Sequence, residues 1–166
     1  MQLMLCGAGE GASGMRTRGM TGEHLVLMDS RGRISFPAAF RSAIGETLYI
    51  SPDLDRLGCL VVRSEDGFYE EYDELEAESK KEGADKKKAH WALRQYTGRT
   101  ETVSPDKNGR ITIPAKLIEY AHMEEDKDSK DRKVLVIGVG PYAEIWDEET
   151  YRAAEAAYNA GFDDEE

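Results

Sequence analysis

The sequence predicts an α+β fold built by duplication, and three observations carry that prediction. A ten-residue motif occurs twice. Each copy is followed by a proline-opened helix and a β-prone hairpin. Neither half is long enough to make a good core alone. Residues 29–38 read Asp-Ser-Arg-Gly-Arg-Ile-Ser-Phe-Pro-Ala, and residues 106–115 read Asp-Lys-Asn-Gly-Arg-Ile-Thr-Ile-Pro-Ala. Asp29, Gly32, Arg33, Ile34, Pro37 and Ala38 recur as Asp106, Gly109, Arg110, Ile111, Pro114 and Ala115, at a constant offset of 77 residues. Self-similarity of this kind means one structural unit used twice. In a chain of 166 residues, units of about 50 residues bury too little surface to stand singly, so the copies are expected to share one core.

The first copy reads as strand, turn, strand, helix. Residues 24–28 are β-prone. Residues 29–32 have turn chemistry, because Asp bonds the backbone ahead of it and Gly accepts a positive φ. Residues 33–36 alternate polar and apolar, with Ile34 and Phe36 on one side. Pro37 ends the strand and suits the first turn of a helix. A short helix over 38–44 follows, with Phe40 and Ile44 inward and Gly45 closing it. Strands are expected at 47–51 and 59–63, joined by a segment holding Pro52 and Gly58. Ser64 then caps a helix with Glu65 and Asp66 in its first turn and Phe68, Tyr72 and Leu75 along one side. Residues 80–88 read as a charged break around Gly83, and 89–96 as a linking helix that ends at Gly98.

The second copy repeats this grammar. Residues 101–103 lead in, and Asn108-Gly109 is the stronger of the two turn signals. Residues 110–113 alternate, and Pro114 opens a helix over 115–121 with Leu117 and Tyr120 inward. Residues 124–132 read as an exposed charged loop. Strands at 133–139 and 143–146 flank the Gly140-Pro141 turn, and an Ala-rich helix covers 148–160. The domain plan is therefore a disordered N-terminal extension over 1–21, although Met20 already looks like a domain start. Units follow at 22–72 and 100–150, with a helical linker at 73–99 and a C-terminal helix with an acidic tail at 151–166.

The net charge is −11, which on its face argues against a nucleic-acid partner. The distribution matters more than the sum. Residues 29–41 hold Arg31, Arg33 and Arg41 against Asp29, and residues 106–118 hold Lys107, Arg110 and Lys116 against Asp106, so each is +3 −1 = +2. The motif is locally basic in an acidic chain. Cys6 and Cys59 are far apart and read as reduced thiols of a cytosolic protein. No apolar run approaches the ~20 residues that span a membrane. His24, His90 and His122 share no ligand spacing with one another or with the cysteines, and no acid/base constellation is recognisable. Neither catalysis, a metal, a cofactor nor a small-molecule substrate is expected.

The motif D-x-x-G-R-I-x-[FI]-P-A, present twice, together with Gly140-Pro141-Tyr142-Ala143-Glu144-Ile145-Trp146-Asp147 near the end, resembles the MraZ family. The resemblance covers about residues 22–158. It implies two AbrB-like (SpoVT-AbrB, swapped-hairpin) units that pair around a pseudo-twofold axis into a β-barrel flanked by helices. It also implies a DNA-binding transcriptional regulator, cytoplasmic and associated with the nucleoid, whose chains form a ring. Its partner would be double-stranded promoter DNA carrying repeated elements of the division and cell-wall gene cluster.

On that reading the site residues are Arg33 and Arg110, each starting the strand after a turn glycine. An Arg so placed can fork to guanine O6 and N7 or grip a phosphate. The competing reading is a structural Asp–Arg pair that staples the turn. Asp29, Gly32, Asp106 and Gly109 are assigned to positioning. Arg31, Lys107, Arg41 and Lys116 are candidates for phosphate contact, or else are ordinary solvated charge. Arg31 and Lys107 are expected at matching places in the turns, whereas Arg41 and Lys116 do not match. The alternative function is an antitoxin-like interaction module whose main partner is a protein. Trp91, Trp146, Tyr151 and Tyr158 read as core or protomer-interface aromatics.

Overall fold

The protein is seen in a computed structural model that describes residues 19–124 and 132–163. Along those residues run β1 (Glu23–Met28), β2 (Arg33–Ser35), α1 (Ala38–Ile44), β3 (Leu48–Pro52), β4 (Leu60–Arg63), α2 (Glu65–Ser79) and α3 (Lys86–Arg99). Then come β5 (Glu101–Val103), β6 (Arg110–Thr112), α4 (Ala115–Tyr120), β7 (Arg132–Gly138), β8 (Ala143–Asp147) and α5 (Glu148–Asp163). The order of strands and helices is the one the repeat predicts.

Six strands form one antiparallel sheet in the order β1-β7-β8-β4-β3-β5, and β2 and β6 form a separate two-stranded ribbon. The pairings β1–β7, β2–β6, β3–β5 and β4–β8 each join the first half of the chain to the second. Only β3–β4 and β7–β8 are local. The fold is thus α+β, with the halves interleaved in one sheet. A closed barrel is not formed: among the described residues β1 and β5 remain the sheet's outer strands.

Alternation along the strands gives the sheet two apolar faces. Leu48, Ile50, Leu60, Val62, Val134, Val136 and Ile145 look into the main core, where Phe36, Phe40 and Met28 meet Ile111, Ile113 and Leu117. Both motif copies therefore feed one core. The other face holds Cys59, Leu135 and Trp146 under Tyr151 and Ala154 of α5. Burial pushes the Cys59 thiol well above the usual thiol range. At the far end of that face Phe68 of α2 stacks between Tyr49 and Tyr96, at 4.9 and 4.8 Å. The Tyr96 hydroxyl donates to the Phe68 carbonyl at 2.9 Å, which fastens α2 to α3.

Several expectations need correction. The linking helix begins at Lys86, inside the stretch read as a charged break, because the Asp85 carboxylate accepts from the Lys88 amide and caps it. Met20 falls within the expected extension, yet it is fully buried and bridges to Gly140; residues 1–18 lie outside the described residues. Most of the expected 124–132 loop, residues 125–131, also lies outside them, while Arg132 opens β7. Helix α5 runs on to Asp163, the first acid of the expected tail; the other three, 164–166, are not among the described residues. Ser64 caps α2 as predicted, accepting from the Gly67 amide at 3.0 Å.

Candidate nucleic-acid interface

The two copies of the motif meet. Strands β2 and β6 pair antiparallel with Arg33 opposite Thr112, Ile34 opposite Ile111 and Ser35 opposite Arg110. The ladder continues at both ends, where the Phe36 amide donates to the Gly109 carbonyl at 3.1 Å and the Ile113 amide to the Gly32 carbonyl at 2.9 Å. Side chains alternate across a strand. Ile34 and Ile111, each 1 % exposed, therefore face the core. The opposite face of the ribbon carries Arg33, Ser35, Arg110 and Thr112, with Ser35 and Thr112 exposed and both arginines half-exposed.

Each turn is built by its aspartate. Asp29 Oδ1 accepts from the amides of Arg31 and Arg33, both at 2.9 Å. Asp106 Oδ1 accepts from Asn108 at 2.8 Å and Arg110 at 2.9 Å. Gly32 and Gly109 both have φ +78, the left-handed conformation that a side chain disfavours. The turns are therefore equivalent, and the stronger Asn-Gly signal of the second produces no tighter geometry. The hydrogen bond from the Arg33 amide, then that from its side chain and that from the Arg31 amide, hold the Asp29 carboxyl down to about 2. The Asp106 carboxyl is lowered by the same partners in the second turn, the Arg110 amide first.

The two arginines differ in how they are held. Arg33 Nε donates to Asp29 Oδ2 at 2.7 Å. Arg110 Nε lies 3.4 Å from Asp106 Oδ2 and makes no hydrogen bond, although the atom is buried. The structural Asp–Arg staple thus exists at full strength in the first copy and loosely in the second. It uses one nitrogen of each guanidinium.

The remaining candidates separate. Arg31 and Lys107 are exposed at the turn tips, but they do not match: the amide in the place of Arg31 belongs to Asn108. Lys116 is exposed on α4. Arg41 turns inward, donating to the Phe36 carbonyl at 2.5 Å and the Gly109 carbonyl at 3.4 Å. A Cβ on Gly109 would strike that guanidinium, and one on Gly32 would lie 2.8 Å from Cδ1 of Ile118. Arg41 and Ile118 sit 77 residues apart, so each copy's helix lays one side chain over the other copy's turn.

The family model described as "MraZ protein, putative antitoxin-like" matches residues 97–166. A protein of Thermoanaerobacter sp. named "Transcriptional regulator MraZ" is 35 % identical over 132 residues, which is 80 % of this chain and 83 % of the relative. The chain belongs to the MraZ family. Proteins of the same name are 32 % identical in Caldanaerobacter subterraneus and 28 % in Bifidobacterium longum, each over 145 residues. These alignments cover 87 % of this chain, with 92 % and 88 % of the two relatives.

Three contributions to this MraZ-family ribbon escaped the sequence reading. Ser35 and Thr112 share the outward face with the arginines; the hydroxyl at both copies of that position was the available signal. Arg132 ties Met123 to the first turn, donating to the Met123 carbonyl at 3.0 Å and to the Asp29 carbonyl. Nothing in the repeat marks it, because it lies in a charged run with no counterpart. No group of residues suited to a metal ion occurs among the described residues, and none of their helices is long and apolar enough to cross a membrane.

Proposed function

We propose that the chain regulates transcription by placing the outward face of the β2–β6 ribbon in the major groove of double-stranded promoter DNA. One observation carries this reading: the duplicated hairpins pair with each other, so Arg33 and Arg110 share one exposed surface with Ser35 and Thr112. A two-stranded ribbon fits the major groove. The free guanidinium nitrogens of Arg33 and Arg110 would reach base edges or phosphates, while Asp29 and Asp106 hold the turns and stay off the DNA. Arg31, Lys107 and Lys116 would supply phosphate contacts that carry affinity without sequence information. Arg41 is better read as a positioning residue, since its guanidinium is engaged by two carbonyls.

The same proposal includes the duplicated swapped-hairpin architecture, with units at 22–72 and 100–150, and a ring of several chains in the cytoplasm at the nucleoid. The interleaved pairing of the halves supports the first. The thin positive charge of one ribbon supports the second, because linked copies gain effective concentration on repeated DNA elements. The promoter of the division and cell-wall cluster is the expected target. Binding of labelled promoter DNA by Arg33→Ala and Arg110→Ala tests the reading. Each loss should weaken binding about 5- to 150-fold, the value of a good bidentate base contact, with the oligomer's mass unchanged. Undiminished binding by both variants would refute the ribbon as the interface. A stable protein partner without promoter binding would favour the antitoxin-like alternative.

A further inference from the structure

Among the described residues, two that are not glycine have left-handed backbone: Arg56 and His122, both at φ 58. Side chains disfavour that conformation, and it gathers at ligand sites. Both residues line one cleft of about 790 Å³ between the β3–β4 loop, α3 and the end of α4. Small-molecule sites have this size. The frame of the cleft is firmly built. Asp53, 8 % exposed, accepts from the amides of Leu57, Gly58 and Cys59 and so fixes the loop. It also accepts from the Tyr120 hydroxyl at 2.8 Å, which ties the loop to α4. His122 packs beside Gly58, where a Cβ would lie 3.6 Å from its Cδ2.

Other groups in the lining are unsatisfied. Leu54, Leu57 and Trp91 stand exposed there, Trp91 at 56 %. Arg56, Lys88 and Arg99 line the cleft and form no ion pair among the described residues. Asp53 is consumed by its loop, which leaves Glu119 as the lining carboxylate against three cations. The Gln95 amide, also in the lining, can both donate and accept. An aromatic face, an amide and three cations suit a flat heterocycle that carries several negative charges. Guanidinium forks match phosphate oxygens, and an indole stacks on a base.

We propose that the cleft binds a nucleoside phosphate, with its base on Trp91 and Gln95 and its phosphates on Arg56, Lys88 and Arg99, and that the bound ligand strengthens promoter binding. Two connections run from the cleft to the first turn of the ribbon. Ile118, next to Glu119, lies over Gly32. Met123, next to His122, accepts from Arg132, which also donates to the Asp29 carbonyl. A ligand that holds residues 119–122 thereby holds the turn that presents Arg33. The effect on DNA rests on the proposed function; the binding site does not.

Calorimetric titration of the full chain with ATP, GTP and inorganic triphosphate tests the site. ATP or GTP should bind more tightly than triphosphate. Trp91→Ala should weaken the nucleotide about 5- to 150-fold, the value of one stacked base, and leave triphosphate unchanged. Trp91→Phe should restore most of the loss. Lys88→Glu should weaken all three. Arg33→Ala/Arg110→Ala should bind nucleotide as the wild type does. Absence of nucleotide binding, or its loss in the ribbon variant and not in Trp91→Ala, overturns the site. Anisotropy of labelled promoter DNA at constant ionic strength tests the coupling. Saturating nucleotide should tighten DNA binding about 5-fold or more, DNA should tighten nucleotide binding by the same factor, and Trp91→Ala should abolish both effects. Unchanged or weakened DNA affinity overturns the coupling. A wild type that binds nucleotide but no promoter DNA supports the site and overturns the proposed function instead.

Discussion

Asp29 shows how much local order one side chain can fix. Its carboxylate closes the turn through two amides and grips Arg33 as well. Those bonds bring its folded-state value from an ordinary 3.8 to about 2. A depressed carboxylate stabilises the fold above its unfolded value, and that contribution fades as pH falls through the folded one. The turn should therefore stay intact at neutral pH and loosen between about pH 4 and pH 2. Carboxyl carbon shifts followed through an acid titration would report it, and a midpoint near 3.8 would contradict the bonding. Gly109 is the second local determinant. Gly109→Ala imposes a left-handed conformation worth about 1–2 kcal/mol and also displaces Arg41, so urea unfolding should show at least that loss. The sequence disclosed the turn chemistry of both copies. It could not disclose that Arg41 faces inward, because that depends on where the other copy's glycine lies.

Under the proposed reading the ribbon is the element on which function turns, and its strands hold only three residues each. A two-stranded ribbon is marginal on its own. Here Ile34 and Ile111, directly opposed and buried, attach it to the core. Ile111→Ala should cost about 2–5 kcal/mol, the usual penalty for such a truncation, measurable by urea melting. DNA binding should weaken with it although Ile111 touches no nucleic acid; full stability in this variant would mean that the ribbon does not depend on its buried face. The alternation of residues 33–36 and 110–113 made each strand legible. Their mutual pairing was not, since an alternating strand fixes its buried face without naming the strand beside it. Helix α3 was read too short for a related reason: three consecutive lysines look like a loop until Asp85 is seen to cap them.

At the scale of the molecule, an acidic chain of net charge −11 places its basic motifs together on one ribbon. The acids lie mainly on α2, on α5 and along the charged runs. Under the proposed reading, affinity for promoter DNA comes largely from displaced counterions. With Arg31, Arg33, Lys107, Arg110 and Lys116 engaged, log K should fall against log salt with a slope of about −4 to −5 per protomer. A flat dependence measured by fluorescence anisotropy would sink the phosphate contacts.

The sequence by itself determined the duplication, the order of strands and helices, the turn chemistry and the local basic charge of each motif. All of these are set by residues close together along the chain. Only the tertiary structure decided that four of the pairings cross between the halves, that both arginines share one face, and that Arg41 and Ile118 lock the opposite turns. Those arrangements depend on contacts between residues far apart in the chain, chosen by burial of one common core, and no local pattern encodes which partner fills a given place.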